Sequence, residues 1–226
     1  MRGDRNRRQA GFIITSVLLC AAAMSCVDGL WHPPYALKSA VKAVLFLLVP
    51  LGYFLRHREA LKTLFRPGGA LRRALLLGAA VYAAILFAYF LLRAQIDFSG
   101  IAAQLSGEAG VNGGNFLFVA LYISFVNSLL EEFFFRGYAF LALRRLTSRP
   151  FAYAFSALAF AAYHAGMTAG WFRPAVWALA MLGLFAGGCV FNRLNEKEGS
   201  IYPSWLVHMC ANFAINTVGF ILFGMI

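Results

Sequence analysis

Leu129-Leu-Glu-Glu-Phe-Phe-Phe-Arg-Gly137 places two adjacent carboxylates and an arginine in a run that is otherwise apolar from Phe116 to Leu143. If the run crosses a bilayer, charges there are costly and mark a functional site by default. The surrounding sequence decides the setting. The 226 residues are 61% hydrophobic and 13% charged, with a mean hydropathy of +0.70, more apolar surface than a soluble domain of this size can hide. Long uncharged runs flank the stretch on both sides: Gln9–Val27, Ala74–Leu92, Pro150–Phe172, Pro174–Asn192 and Gly199–Ile226. Each approaches or exceeds the roughly 20 residues that cross a hydrocarbon core as a helix. Ala43–Leu55 is shorter and is extended if Lys38 and Lys42 snorkel. The expected fold is therefore all-α, a polytopic membrane helical bundle of about seven transmembrane helices forming a single domain over residues 1–226.

The net charge of +11 is distributed as a topology signal. With seven spans, one side collects the N-terminal arginines, the basic loop Arg56–Arg73, Arg144, Arg145, Arg149, Arg193 and Lys197, fifteen Lys and Arg in all. The other side has four: Lys38, Lys42, Arg93 and Arg173. This positive-inside asymmetry predicts a cytoplasmic N-terminus in a multi-pass protein of the cell membrane. It assigns the basic loops to the membrane surface and anionic lipids, and no nucleic-acid partner is expected. The first run is too long for the hydrophobic region of a signal peptide and reads as a retained helix. Cys20, Cys26, Cys189 and Cys210 lie in apolar segments without metal-ligand spacing and read as small buried hydrophobes. The segment Arg93–Gly114 is Gly-rich and reads as an outer loop, and Gly183 and Gly187 form a GxxxG expected to permit close helix packing.

The ionisable groups inside the spans are Glu131, Glu132, Arg136, His164 and His208. Glu131 lies 14 residues from Arg145, His164 lies 14 from Pro150, and Asn212 lies 14 from Glu198 with His208 one turn shallower. At 1.5 Å per residue, three helices bring these groups to one level about 15–21 Å from their cytoplasmic ends. On an α-helix Glu132 and Arg136 share a face and can pair, a bracing ion pair. Glu131 points about 100° away, has no such local partner, and suits a general base or acid, with Asn127 one turn earlier placed to orient it. Ser204, His208, Asn212 and Asn216 form a polar stripe along the last helix, while Phe133–Phe135 read as packing and lipid contact and Phe160 as a pocket wall.

These residues carry a resemblance to the CPBP family of intramembrane endopeptidases, which includes the CAAX prenyl proteases and bacterial relatives often labelled Abi. EExxxR stands as Glu131-Glu132-Phe-Phe-Phe-Arg136, FxxxH as Phe160-Ala-Ala-Tyr-His164, and HxxxN as His208-Met-Cys-Ala-Asn212, all within residues 127–216. The resemblance implies a glutamic-type protease acting on a membrane protein or on a peptide or lipidated substrate. In it Glu131 with His164 activates a water, and His208 with Asn212 holds the oxyanion. No HExxH is present, so the usual zincin arrangement is absent. No cofactor is expected, although Glu131, His164 and His208 are of residue types that also bind Zn²⁺. Two readings from other classes fit the residues alone: a proton-coupled transporter using Glu131 and the histidines as a relay, and a non-catalytic immunity or scaffold protein.

Overall fold

The computed structural model describes residues 2–31, 33–57, 61–98, 101, 106–107, 110–168 and 170–226. All regular structure among them is helical: α1 (Arg2–Cys26, continued by a π-turn, Val27–Trp31), α2 (Tyr35–Arg56), the short α3 (Leu61–Leu64), α4 (Leu71–Leu92), α5 (Phe116–Ala142), α6 (Arg149–Met167), α7 (Pro174–Glu198) and α8 (Tyr202–Leu222). His32 and part of the Gly-rich loop within 93–114 lie outside the described residues.

Among the described residues six helices are long and apolar enough to cross a membrane, namely α1, α2, α4, α5, α7 and α8. The protein is thus a multi-pass membrane protein. The seventh expected span is α6, a 19-residue helix that is not one of those six. Its Ala152, Ala157, Ala159 and Ala161 are buried against neighbouring helices, and alanine contributes little hydropathy where close approach is what the fold needs. The short run Ala43–Leu55 becomes part of the 22-residue α2.

Helix boundaries follow local chemistry. Pro34 caps α2, and α6, α7 and α8 each carry a proline in the first turn, where its missing N–H would have had no intrahelical partner. α7 stops at Gly199, whose φ of +65° is left-handed, and the Gly199 amide bonds the Asn195 carbonyl at 2.8 Å. The next residues anchor the turn: the Ile201 amide donates to the Leu64 carbonyl (2.8 Å), and the Ser200 hydroxyl reaches the carbonyls of Leu64 (2.9 Å) and Arg66 (2.8 Å).

α5 is the axis of the bundle. Every residue from Glu131 through Leu143 is buried, so α5 is enclosed on all faces there, between α1, α2, α6, α7 and α8. Phe133, Phe134 and Phe135 accordingly face protein and make no lipid contact: Phe134 stacks on Phe46 of α2 at 4.1 Å between ring centres. The expected GxxxG contact also moves. A Cβ on Gly183 or Gly187 would meet nothing within 4 Å, whereas one on Gly188 would stand 3.1 Å from the Ala157 backbone and side chain, so the close crossing of α6 and α7 is at Gly188. The four cysteines are free; Cys20 is buried but Cys26 is exposed, so the small-hydrophobe reading does not extend to it.

Candidate active site

α5 is not a uniform α-helix. Its Ile123–Asn127 and Glu132–Ala142 segments are π-helical, flanking one α-turn at Ser128–Glu131. A π-turn adds a residue per turn and so shifts the phase of the faces that follow, a distortion frequent at functional sites. Here it separates the two adjacent carboxylates by partner as well as by direction. Glu131 meets Lys42 of α2 and, on its other oxygen, His164 of α6 and His208 of α8, whereas Glu132 meets the Nδ1 side of His208 on α8.

Glu131 is 2% exposed. Contrary to the expectation of an unpaired carboxyl, its Oε1 accepts from the Lys42 ammonium at 2.5 Å and from the Asn127 side-chain amide at 2.9 Å. Asn127 does orient Glu131, as its position one turn earlier suggested. Lys42 does not snorkel: it is 5% exposed, and its Nζ also donates to Asn127 Oδ1 at 2.5 Å. Sequence reasoning missed this residue as part of the site, although one signal was available. A span confined to Ala43–Leu55 has only 13 residues, too few for a bilayer, so Lys42 has to lie within the crossing helix.

The other oxygen, Oε2, faces two imidazoles: His164 Nε2 at 3.8 Å and His208 Nε2 at 3.7 Å. Their tautomers follow from the remaining ring nitrogens. His164 Nδ1 lies 2.8 Å from the Phe160 carbonyl, and His208 Nδ1 lies 2.9 Å from Glu132 Oε1. A carbonyl and a carboxylate can only accept, so each Nδ1 donates, and each Nε2 is left facing Glu131. The carboxylate oxygen and the two ring nitrogens thus face one another at separations too long for direct hydrogen bonds. Phe160 supplies the wall, with its ring centre 4.5 Å from that of His164 and 6.0 Å from that of His208.

Glu132 is fully buried; the expected ion pair with Arg136 is present, and Glu132 has closer partners besides. Its nearest partners are His208 on Oε1 and the Ser204 hydroxyl on Oε2; Ser204 in turn accepts from Asn195 at 2.6 Å. Arg136 Nε stands 3.7 Å from Glu132 Oε2, an ion contact without a hydrogen bond. The guanidinium lies instead over the rings of Phe160 (4.0 Å) and Phe191 (5.0 Å), a cation–π seat. Lower on α8, Asn212 gives one amide hydrogen to the Ile123 carbonyl at 3.1 Å, and Asn216 donates to the Ala120 carbonyl (3.1 Å) and to Ser124 Oγ (3.0 Å). The polar stripe of α8 therefore faces α5 along its whole length.

A carboxylate oxygen and two imidazole nitrogens are ordinary zinc donors. With the Lys42 ammonium 2.5 Å from Glu131 Oε1, however, the carboxylate already has its counter-charge, and a dication at Oε2 would be repelled at short range in a low-dielectric setting. The residues do not fit a resident zinc ion.

Residues 113–214 match the family model described as Type II CAAX prenyl endopeptidase Rce1-like. The match spans the EExxxR, FxxxH and HxxxN stretches and leaves α1 to α4 outside. No curated protein and no solved structure matches the chain.

Proposed function

We propose that this protein is an intramembrane endopeptidase of the cell membrane that hydrolyses a peptide bond of a lipidated or otherwise membrane-associated protein or peptide. The reading rests on one observation above all: Glu131 Oε2, His164 Nε2 and His208 Nε2 converge, with both ring nitrogens within 3.8 Å of the carboxylate oxygen and too far from it for a direct hydrogen bond. A water molecule, which donates two hydrogens, is the species that such a group binds and deprotonates.

In this mechanism Glu131, assisted by His164, takes a proton from the water as its oxygen attacks the scissile carbonyl carbon. The carbonyl π electrons pass to its oxygen, and the resulting oxyanion is held by Asn212, which has a second amide hydrogen beyond the one given to Ile123. His208 can donate there only when it carries a proton on Nε2 as well; Glu132, on its Nδ1, stabilises the imidazolium so formed. Collapse of the intermediate breaks the C–N bond, and the proton removed from water goes to the leaving amine. No metal takes part, and Arg136 with its aromatic seat supports the wall behind His164 and His208.

The family described by the matched model points to substrates ending in a prenylated CAAX sequence. The test is purified protein in proteoliposomes with a fluorogenic prenylated CAAX peptide. Wild type is expected to cleave it, and Glu131→Gln to leave it intact. Equal cleavage by the two would remove Glu131 from the role of base.

A further inference from the structure

The matched family segment begins at residue 113, well after α2, yet α2 contributes the shortest contact to the central carboxylate. We infer that Lys42 is a positioning residue of the site: with Asn127 it occupies one oxygen of Glu131 and so holds the other for the reacting water. The inference rests on the protease reading above.

A carboxylate oxygen has about two lone-pair positions. Both positions on Oε1 are used, by the Lys42 ammonium at 2.5 Å and the Asn127 amide at 2.9 Å. The three groups close a ring, because Lys42 Nζ also donates to Asn127 Oδ1 at 2.5 Å, which fixes which end of the Asn127 amide points at Glu131. The carboxylate plane is thereby set, and Oε2 alone remains for His164, His208 and substrate water.

The ammonium is held as firmly as the oxygen. Its side chain is 7% exposed, and it lies 4.8 Å from the ring centre of Tyr163 and 5.7 Å from that of Phe46. Phe46 is itself stacked on Phe134, the third residue after Glu131 on the same helix. Lys42 and Glu131 are therefore fixed to one another through the α2–α5 packing as well as by charge. The ion pair also offsets the carboxylate's buried charge without ligating Oε2, which a metal would do. A lysine suits the place because its compact ammonium fits between two oxygens and two rings; a planar guanidinium would not.

The test measures kcat and KM on the prenylated CAAX peptide for Lys42→Met, Lys42→Ala, Asn127→Ala and Glu131→Gln, each checked for folding by thermal unfolding in detergent. A misplacement of Glu131 by about 1 Å is worth on the order of 10²-fold in turnover. The Lys42 variants should lose kcat to about that extent while KM changes little. Lys42→Ala should recover part of its kcat when propylammonium is supplied and none when an equal concentration of propanol is, a rescue that a purely structural lysine would not show. Folded Lys42 variants with wild-type kcat, beside an inactive Glu131→Gln, would overturn the inference and leave the protease reading standing. If the Lys42 variants do not fold, Asn127→Ala decides: unchanged kcat overturns the clamp, and a fall with retained KM supports it. Wild-type cleavage that survives Glu131→Gln would remove Glu131 from the role of base and the clamp with it, and no cleavage by the wild type would overturn the protease reading itself.

Discussion

Glu132 Oε1 accepts a hydrogen bond from His208 Nδ1 at 2.9 Å, across 76 positions of chain. This contact turns the His208 ring so that Nε2 looks at Glu131, and it is closer than the 3.7 Å that separates Glu132 from Arg136, its neighbour one turn along α5. The second carboxylate of the pair is thus the support of a histidine, in the manner of the carboxylate–histidine pairs that fix tautomer and ring orientation in many active sites.

Glu132→Gln should therefore act on turnover as well as on stability. Loss of such a supporting partner typically costs about 10–100-fold in activity, and Arg136 would lose its nearest carboxylate. The expected outcome is lower kcat at similar KM together with a lower Tm in detergent. A variant that only melts earlier, with unchanged kcat, would reduce Glu132 to bracing.

Glu131→Gln should abolish cleavage and also destabilise the protein, because it leaves the Lys42 ammonium buried without its counter-charge. Breaking a buried pair by removing one partner costs about 3–5 kcal/mol. Adding Lys42→Met to Glu131→Gln should restore much of the lost Tm without restoring activity. Thermal unfolding of the two variants checks this, and additive losses would contradict the pairing.

Asn212→Ala removes an amide whose second hydrogen is assigned to the oxyanion. Removing one such donor commonly costs about 10²–10³ in kcat, with substrate affinity retained. In parallel, EDTA or 1,10-phenanthroline should leave wild-type activity unchanged. About one bound zinc per chain, with activity lost on chelation and restored by zinc, would replace the carboxylate mechanism with a metal-activated water.

Gly188 and Gly187 make a paired test of the helix crossing. Gly188→Ala brings a methyl to 3.1 Å from the Ala157 backbone, which cannot step aside, so α6 and α7 must separate. Overpacking of this kind costs about 1–3 kcal/mol. Gly187→Ala meets nothing and should be neutral or mildly stabilising, because alanine favours a helix over glycine. The order of the two melting temperatures is the readout.

Orientation follows from the charge asymmetry and is checked by labelling. In a cysteine-free background, which removes the exposed Cys26, a cysteine at Gly69 should react only from the cytoplasm and one at Asn112 only from outside. The reverse pattern would invert the bundle.

The amino-acid sequence determined by itself that the chain crosses a membrane many times, and that Glu131, His164, His208 and Asn212 lie at one depth. Both properties are local: hydropathy is summed along a segment, and depth is a count of residues multiplied by a fixed helical rise. What the sequence could not determine was who faces whom. An α-helical wheel paired Glu132 with Arg136, which the bundle keeps, but it gave Glu132 no histidine and left Glu131 alone; the two π-helical segments of α5 shift its faces, and the rotation of α2 about its own axis carries Lys42 inward. Gly188 rather than Gly183 or Gly187 meets α6 for the same reason. Rotation of one helix relative to another is set by the packing of all its neighbours at once, and that information exists only in the assembled bundle.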